Sequence, residues 1–383
     1  MPSELPFEIL SIIASFISIT DRFHCTTVCK SWTAAFKDSL RGVLIINPKN
    51  QQIVHHLLET EQEIRENDKV SIWALQMIGS LNISTKDFQR IHKRFPRLTY
   101  LKIREESLDP KSYRVHWSAW KSLKHLELDL PNLESRTQFS RILEILSCLP
   151  SLENLTLEDC TLNQAYHCTW FDLEKLCDYL PLLEFLRLRI KFDEISTATV
   201  DRFRSLVPEI RLRTLEICCE GMDLIWLFYF SIKFPNIHTY FWEIEQVTSS
   251  RIGQDSRFTS SMDGYDSLKV SHHEIMSVAS KIPCFFPYLQ TLTINERAIP
   301  TWRHISFWTL VHNYRIPLKH LYYRMNLSNV KPEVSEKIIV RCMDACVTKV
   351  TTLSMILDYL LKITNNASGS SEKIPVMEIL SRG

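Results

Sequence analysis

Glycine is scarce in this sequence, with 7 residues in a chain of 383, and no two of them lie close together. The phosphate-binding loops of nucleotide-dependent enzymes need clustered glycines, because only a backbone without side chains brings its N–H groups close enough to the ligand. The scarcity of glycine therefore argues against dinucleotide-binding and P-loop enzymes.

An excess of charge and a long apolar run are also lacking. The formal net charge is +1, so no overall field points to a nucleic acid or membrane partner. The longest unbroken apolar run, 224–230, is far shorter than the ~20 residues of a membrane span. It predicts a buried helix, and we expect no membrane and no nucleic acid among the partners.

The 11 cysteines form no regular framework, and their number is odd. Residues 1–8 contain two acidic side chains and no basic stretch, so they do not resemble a signal peptide. We therefore expect a reducing compartment, cytoplasmic or nuclear or both, in which free thiols pack as small apolar groups.

Chemistry-bearing motifs are sparse. Cys342 and Cys346, like the histidine pairs His55–His56 and His272–His273, lack the four-ligand spacing of a zinc site. No metal, cofactor or catalytic centre is predicted, although a triad formed only in the folded chain would leave no such signature.

One phrase recurs along the chain. Clear copies read FPRLTYLKI at 95–103, LPSLENLTL at 149–157 and FPYLQTLTI at 286–294. Nine copies follow one another at steps of 25 to 32 residues, apart from one step of 52 between 237 and 289. A polar copy at 265–270 would divide the long step, and weaker units are expected at 40–45 and 78–83. The first leucine-type residues of the nine copies are Leu98, Leu123, Leu152, Leu183, Leu212, Ile237, Leu289, Leu318 and Val350.

The phrase predicts a strand, because in Leu-x-Leu the alternate side chains face one side. Helix-like stretches such as 138–149 and 169–180 lie between the copies. Each strand–helix unit has an apolar side that it cannot bury alone, so the units are expected to stack. The pattern resembles leucine-rich repeats, which have a period of ~20–29 residues. The alternative is an irregular α/β domain with coincidental leucines.

The first forty residues do not follow the repeat. Their apolar residues recur at helical spacing and predict a small three-helix unit. The segment contains LPFEIL at 5–10, Phe16 and Ile17, Asp21, and VCKSW at 28–32. In this it resembles the F-box, with Arg22 as a departure where that family often has an apolar residue.

The F-box resemblance implies docking on a Skp adaptor and, through it, on a cullin ubiquitin ligase. The alternative for some of these side chains, Trp32 among them, is the core of the three-helix unit. The interface residues implied by the motif are Leu5, Pro6, Ile9, Leu10, Ile13, Val28, Cys29 and Trp32.

The leucine-rich-repeat resemblance implies parallel strands on a concave face and helices on a convex face. Residues between the leucines would point outward on the concave face and could bind a client protein. Alternatively, its charges form only a solvated ladder of ion pairs, worth ~0.2–1 kcal/mol each. Asp129 and Glu158 are expected side by side without lateral partners of their own. The candidate client-binding residues are Asp129, Glu158, Phe185, Arg187, Arg189, Phe241, His320 and Tyr322.

Together these features predict an α/β protein with an F-box at 1–40, a curved solenoid at 41–360 with a loop at 247–264, and a tail at 361–383. The resemblance implies a non-catalytic substrate receptor of a cullin-based ubiquitin ligase. The alternatives are an adaptor-bound scaffold and a protein-binding module without ubiquitin transfer. The sequence does not identify the client.

Overall fold

The computed structural model divides into two compact units, Met1–Asp129 and Leu130–Gly383. For 301–306, 324–325, 352–357 and 377–379, as for a few single residues elsewhere, only the backbone is described. The described residues are 5–17, 19–50, 52, 72–79, 85–104, 117–130, 135–159, 166–203, 205–219, 224–244, 276–277, 279, 285–296, 301–325, 352–357 and 377–379.

The first unit begins with three helices, as the sequence predicts. They are α1 (Phe7–Phe16), α2 (Ile19–Cys25) and α3 (Lys30–Ser39). The core between them is small, and its buried residues include Leu10, Ala14, Ala35 and Phe36. Such a core stabilises forty residues only weakly on its own.

Four parallel strands follow in the first unit and pair in chain order. They are β1 (Val43–Ile46), β2 (Ala74–Met77), β3 (Tyr100–Arg104) and β4 (His125–Asp129), with helix α4 (Thr85–Arg94) between β2 and β3. The weak unit expected at 40–45 is confirmed by β1. The one expected at 78–83 lies mostly outside the described residues, and the described strand nearest to it is β2, which ends just before Ile78.

The second unit contains the remaining helices and strands that the structure describes. Its helices are α5 (Arg136–Leu146), α6 (Trp170–Tyr179), α7 (Val200–Phe203), α8 (Leu224–Lys233) and α9 (Thr301–Asn313). Its strands are β5 (Asn154–Glu158), β6 (Phe185–Arg189), β7 (Thr214–Cys219), β8 (Thr239–Ile244), β9 (Thr291–Glu296), β10 (His320–Met325), β11 (Thr352–Leu357) and β12 (Met377–Ile379).

Strands β5 to β11 pair in parallel and in chain order, so the sequence repeat is a structural repeat. In β5 and β6 the leucines are buried and the residues between them are partly exposed, as in Leu155 and Leu157 around Thr156. Eight of the nine predicted anchors are buried, and Val350 lies outside the described residues. The predicted α/β solenoid is confirmed.

The step of 52 residues is not divided by a strand in this sheet. Strand β8 pairs directly with β9 along its whole length, from Thr239 opposite Thr291 to Ile244 opposite Glu296. Because that edge of β8 is fully occupied by β9, a strand from 265–270 cannot lie between them. The polar copy itself and the expected loop at 247–264 lie outside the described residues.

The predicted domain boundaries at 40 and 360 stay a prediction. Strand β12 lies within the expected tail and pairs antiparallel with β11. The repeat pattern does not predict β12.

The apolar run 224–230 forms most of helix α8 and is buried throughout, as predicted. Lys233 at the end of this helix is also buried, and its Nζ lies 2.8 Å from Oε2 of Glu174 on α6. The same Nζ donates to the carbonyl of Val207 at 3.1 Å, and the hydroxyl of Tyr229 donates to Oε1 of Glu174 at 2.7 Å. A buried ammonium is stable only when it is paired in this way, so one carboxylate links α6 to α8.

We expect Glu174→Ala to lower the free energy of unfolding by about 3 kcal/mol, because it leaves the ammonium of Lys233 buried without its counter-ion. Urea-induced unfolding followed by circular dichroism measures the change. The matched control is Asp178→Ala, which removes an exposed carboxylate from the same helix and should change stability by less than about 0.5 kcal/mol. Equal effects of the two substitutions would contradict the assigned role of Glu174.

Candidate functional site

Helix α1 carries two apolar faces. One face, including Leu10 and Ala14, is buried against α3. The other consists of Leu5, just before the helix, and Ile9, Ile12 and Phe16, whose exposed fractions are 42%, 43%, 54% and 84%. These four positions recur at the spacing that places side chains on one side of a helix. We call them the α1 stripe.

Further apolar side chains are exposed on the three-helix unit. Val28 is 62% exposed, and Phe7 and Phe23 are exposed as well. The interface residues inferred from the motif do not include Phe7, Ile12, Phe16 or Phe23. For Ile12 and Phe16 the helical spacing from Leu5 and Ile9 was a usable signal. Phe23 belongs to no such pattern, and its exposure is visible only in the fold.

The structure separates the implied interface residues into two groups. Leu5, Pro6, Ile9, Val28 and Cys29 are exposed. Leu10 is in the core with 1% exposure, so its placement at the interface is wrong, because this side of α1 packs on α3. Ile13 and Trp32 are partly buried against the same core, and Trp32 stacks on Phe36 at a centroid distance of 5.3 Å.

Arg22, the departure from the F-box pattern, joins the three-helix unit to the first strands. Its Cζ lies 5.8 Å from the ring centroid of Trp73, the residue before β2, and its Nε donates to the carbonyl of Ile17 at 3.1 Å. Burial lowers the pKa of the Arg22 guanidinium from its usual value. A guanidinium over an indole ring is a favourable cation–π pair, which an apolar residue at this position could not form.

Trp73 is held on its other side by the segment that leads from α3 into β1. Its ring Nε1 donates to the carbonyl of Arg41 at 3.1 Å, and its backbone N–H donates to the carbonyl of Gly42 at 2.9 Å. Gly42 has a φ of 83°, a backbone conformation that costs glycine nothing and other residues about 1 kcal/mol or more. The indole is thus fixed between α2 and the start of the sheet.

The start of the chain, residues 2–41, matches the family model described as F-box-like. The first forty residues form an F-box-like domain. F-box domains generally bind Skp adaptors, and the combination of an F-box with leucine-rich repeats is typically non-catalytic. The chain carries this domain ahead of its leucine-rich repeats.

No curated protein matches the chain. Among solved structures, the chain is similar to the leucine-rich repeat-containing protein LegL7 from Legionella pneumophila, with 12% identity and a TM-score of 0.43 over 88% of this chain and 99% of that one. The assignment of the repeats therefore rests on the leucine spacing and on the parallel strands of this chain.

The residues between the leucines of each strand form the open face of the sheet. In the F-box-containing unit, Lys102 lies opposite Glu127, as predicted, with Nζ 2.8 Å from Oε2. The hydroxyl of Tyr100 donates to Oε1 of the same carboxylate at 2.7 Å. These contacts are partly exposed and are worth little individually, in agreement with an ion-pair ladder.

In the second unit, Arg187 lies between two carboxylates. Its Nε is 2.9 Å from Oε1 of Glu158, and its Nη1 is 3.3 Å from Oε2 of Glu216. Burial raises the pKa of Glu216, and the charge of Arg187 opposes that rise. The backbone register pairs Glu158 with Arg189, as predicted, but the carboxylate reaches diagonally to Arg187. The expectation that Glu158 has no lateral partner is therefore wrong.

The remaining candidate client-binding residues lie at open-face positions of their strands. Phe185, Arg189, Phe241 and His320 are partly exposed, and Tyr322 is exposed. Asp129 ends β4 in the first unit, with its side chain partly exposed. Their role in binding a client stays a prediction.

Within the described ranges, no group of three or more His, Cys, Asp or Glu side chains could hold a metal ion. Over the same ranges, no helix combines the length and apolar character that crossing a membrane requires.

We expect Arg22→Ala to loosen the F-box-like domain, because it removes the cation–π pair with Trp73 and the hydrogen bond to Ile17. The loss should be about 1–2 kcal/mol and should speed amide exchange in α1 and α2 about fivefold to thirtyfold. Hydrogen–deuterium exchange with mass spectrometry measures it. Arg41→Ala is the matched control, since it removes only an exposed ion pair with Asp38. Unchanged exchange in Arg22→Ala would refute the role of this contact.

Proposed function

We propose that this chain is the substrate-recognition subunit of a cullin-based ubiquitin ligase. The F-box-like domain would bind a Skp adaptor, and the open face of the repeats would bind a client protein. The adaptor would connect the chain to a cullin, whose assembly would carry ubiquitin to the client. Residence in the cytoplasm or nucleus, where such ligases act, is part of the proposal.

The α1 stripe is the observation that carries the proposal. Its four large apolar side chains lie on one side of a helix whose other side already fills the core of the domain. A contiguous apolar surface of this kind typically marks a protein interface. The stripe belongs to residues 2–41, the part that matches the F-box-like family, and an adaptor is the partner that such domains generally bind.

The remaining chemistry fits a receptor rather than an enzyme. Burial is the largest cause that raises the pKa of the buried thiols of Cys168, Cys177 and Cys218. Such thiols remain protonated and are poor nucleophiles. The proposed contribution to catalysis is proximity, because holding a client beside a ubiquitin-loaded enzyme converts an encounter between free molecules into a reaction within one complex.

The experiment compares two double variants. Leu5→Ala/Ile9→Ala truncates the α1 stripe, and Val207→Ala/Ile210→Ala truncates two exposed aliphatic side chains of the second unit. Each tagged chain is expressed in cells, and co-purified adaptor and cullin are quantified by mass spectrometry. We expect the α1 variant to lose adaptor and cullin at least about tenfold, the usual effect of truncating central interface residues, and the control to lose neither.

Retention of adaptor by a folded α1 variant, with its circular dichroism unchanged, would contradict the assigned interface. If the wild type co-purifies with adaptor but without cullin, the proposal is wrong and the chain is an adaptor-bound scaffold. If the wild type co-purifies with neither, the chain is a protein-binding module without ubiquitin transfer. Proximity labelling with the same variants separates the two surfaces, since clients should remain labelled by the α1 variant while adaptor and cullin are lost.

A further inference from the structure

Strand β11 has partners of very different length on its two edges. It pairs in parallel with β10 along all six of its residues, Thr352–Leu357. On its outer edge, the partner that the structure describes is β12, which pairs antiparallel with three residues, from Leu353 to Met355. The backbone of β11 is thus held by β10 over its full length, while β12 occupies half of the outer edge.

The register of β12 continues the core-facing row of the sheet. Residues directly opposite each other in paired strands share a face. In β10 the core-facing residues Leu321 and Tyr323 are buried, and the register carries their row through β11 to Ile379 and Met377 of β12. Both of these positions hold apolar residues.

The middle position of β12 belongs to the open face. Tyr322, which is exposed, lies opposite Ser354 of β11, and Ser354 lies opposite Glu378. Strand β12 therefore has apolar residues in the core-facing row and an acidic residue in the open-face row. This alternation is that of a strand with one buried face, and it defines the kind of segment that the outer edge of β11 accepts.

The connection between β11 and β12 is much longer than a hairpin loop. It comprises residues 358–376, whereas paired antiparallel strands are usually joined by ~2–5 residues. No tight turn fixes the pairing, and β12 is a tethered ligand of the edge. Pro375 lies two residues before β12, and proline cannot donate to a strand ladder. A segment without this proline can pair with more of β11.

A competing strand must overcome the tether. A tethered segment acts at an effective concentration on the order of 1 mM or less. A second copy of the chain would offer the same three-residue strand without the tether, so it cannot displace β12 at lower concentrations. A longer segment from another protein can, because it adds main-chain hydrogen bonds along the rest of β11.

We propose that the outer edge of β11 binds an extended client segment, and that β12 is its displaceable intramolecular occupant. The segment pairs antiparallel with β11 and has apolar residues at the alternate positions that continue the core-facing row. Main-chain hydrogen bonds supply the affinity, and the alternation supplies the specificity. The inference rests on the proposed function only in taking the displacing segment to come from the client.

The test uses the full-length chain and three fluorophore-labelled peptides. The first copies residues 372–383, the second is its Met377→Ser/Ile379→Ser form, and the third is its Pro375→Val form. Fluorescence anisotropy measures the affinities. We expect the serine peptide to bind at least about tenfold more weakly than the copy, since it loses both apolar residues. The valine peptide should bind about threefold to tenfold more tightly, the effect of one added main-chain hydrogen bond.

Two variants of the chain examine the displacement of β12. Successive residues of an antiparallel pair alternate between hydrogen-bonded and non-hydrogen-bonded positions, so Met377→Pro/Glu378→Pro removes a donor to β11 in either case. Without its tethered competitor, this variant should bind the copied peptide about tenfold more tightly than the wild type. The matched control is Glu378→Gln, which keeps the backbone N–H and should bind as the wild type does. Added peptide should slow amide exchange in Thr352–Leu357.

The proposal is overturned if the proline variant binds no peptide more tightly than the wild type, or if the serine peptide binds as well as the copy. Unchanged amide exchange in β11 would also overturn it. So would a wild type that sediments as a dimer at micromolar concentration while the proline variant sediments as a monomer, because the occupant would then be a second copy. For the wild-type chain, the order of the three peptides tests the edge without any change to β12.

A parallel measurement in cells separates this proposal from the proposed function. Proximity labelling by the proline variant should label clients more strongly than labelling by the wild type, with adaptor and cullin unchanged. Equal labelling of clients would contradict the client as the displacing partner. Loss of adaptor and cullin from the wild type would overturn the proposed function and leave the peptide affinities as they are.

Discussion

Burial of leucine-type side chains between neighbouring repeats is the constraint on which the rest of the structure depends. A unit of one strand and one helix leaves an apolar side open, and only the next unit covers it. The buried positions within each strand, such as Leu186 and Leu188 of β6, are fully enclosed. Each buried leucine contributes about 1.5–3 kcal/mol, which leaves the alternate positions free to carry charges and rings without endangering the fold.

Helix α1 shows the same separation between residues that stabilise the fold and residues that are available to a partner. A helix has room for two apolar faces, and here the core of the F-box-like domain uses only one of them. The residues that stabilise the domain and the residues offered to a partner are therefore neighbours in sequence but lie on different sides. Arg22 and Trp73 add a polar and aromatic contact where the domain meets the first strands, so the domain does not depend on its small core alone.

Much of this arrangement could be predicted from the sequence, because leucine spacing and strand alternation are local signals. The register of Lys102 with Glu127 followed directly from aligning the repeats. The errors have a common cause. The helical periodicity predicts the two apolar faces of α1, but it does not tell which face is buried in the core. For this reason Leu10 was predicted at the interface although it lies in the core. The strand register predicts which backbone positions lie opposite each other, but it does not predict which neighbour a long side chain contacts. The side chain of Arg187 thus pairs with Glu158, although the register places Arg189 opposite Glu158.

Strand β12 has an effect out of proportion to its three residues. A stack of parallel strands ends in a row of backbone N–H and C=O groups that can accept a strand from another molecule. The antiparallel pairing of Met377–Ile379 with β11 occupies that row along Leu353 to Met355. Because β12 is only three residues long, it presents a much shorter free edge than a full-length strand would, and a short edge strand is one way in which sheets limit edge-to-edge pairing.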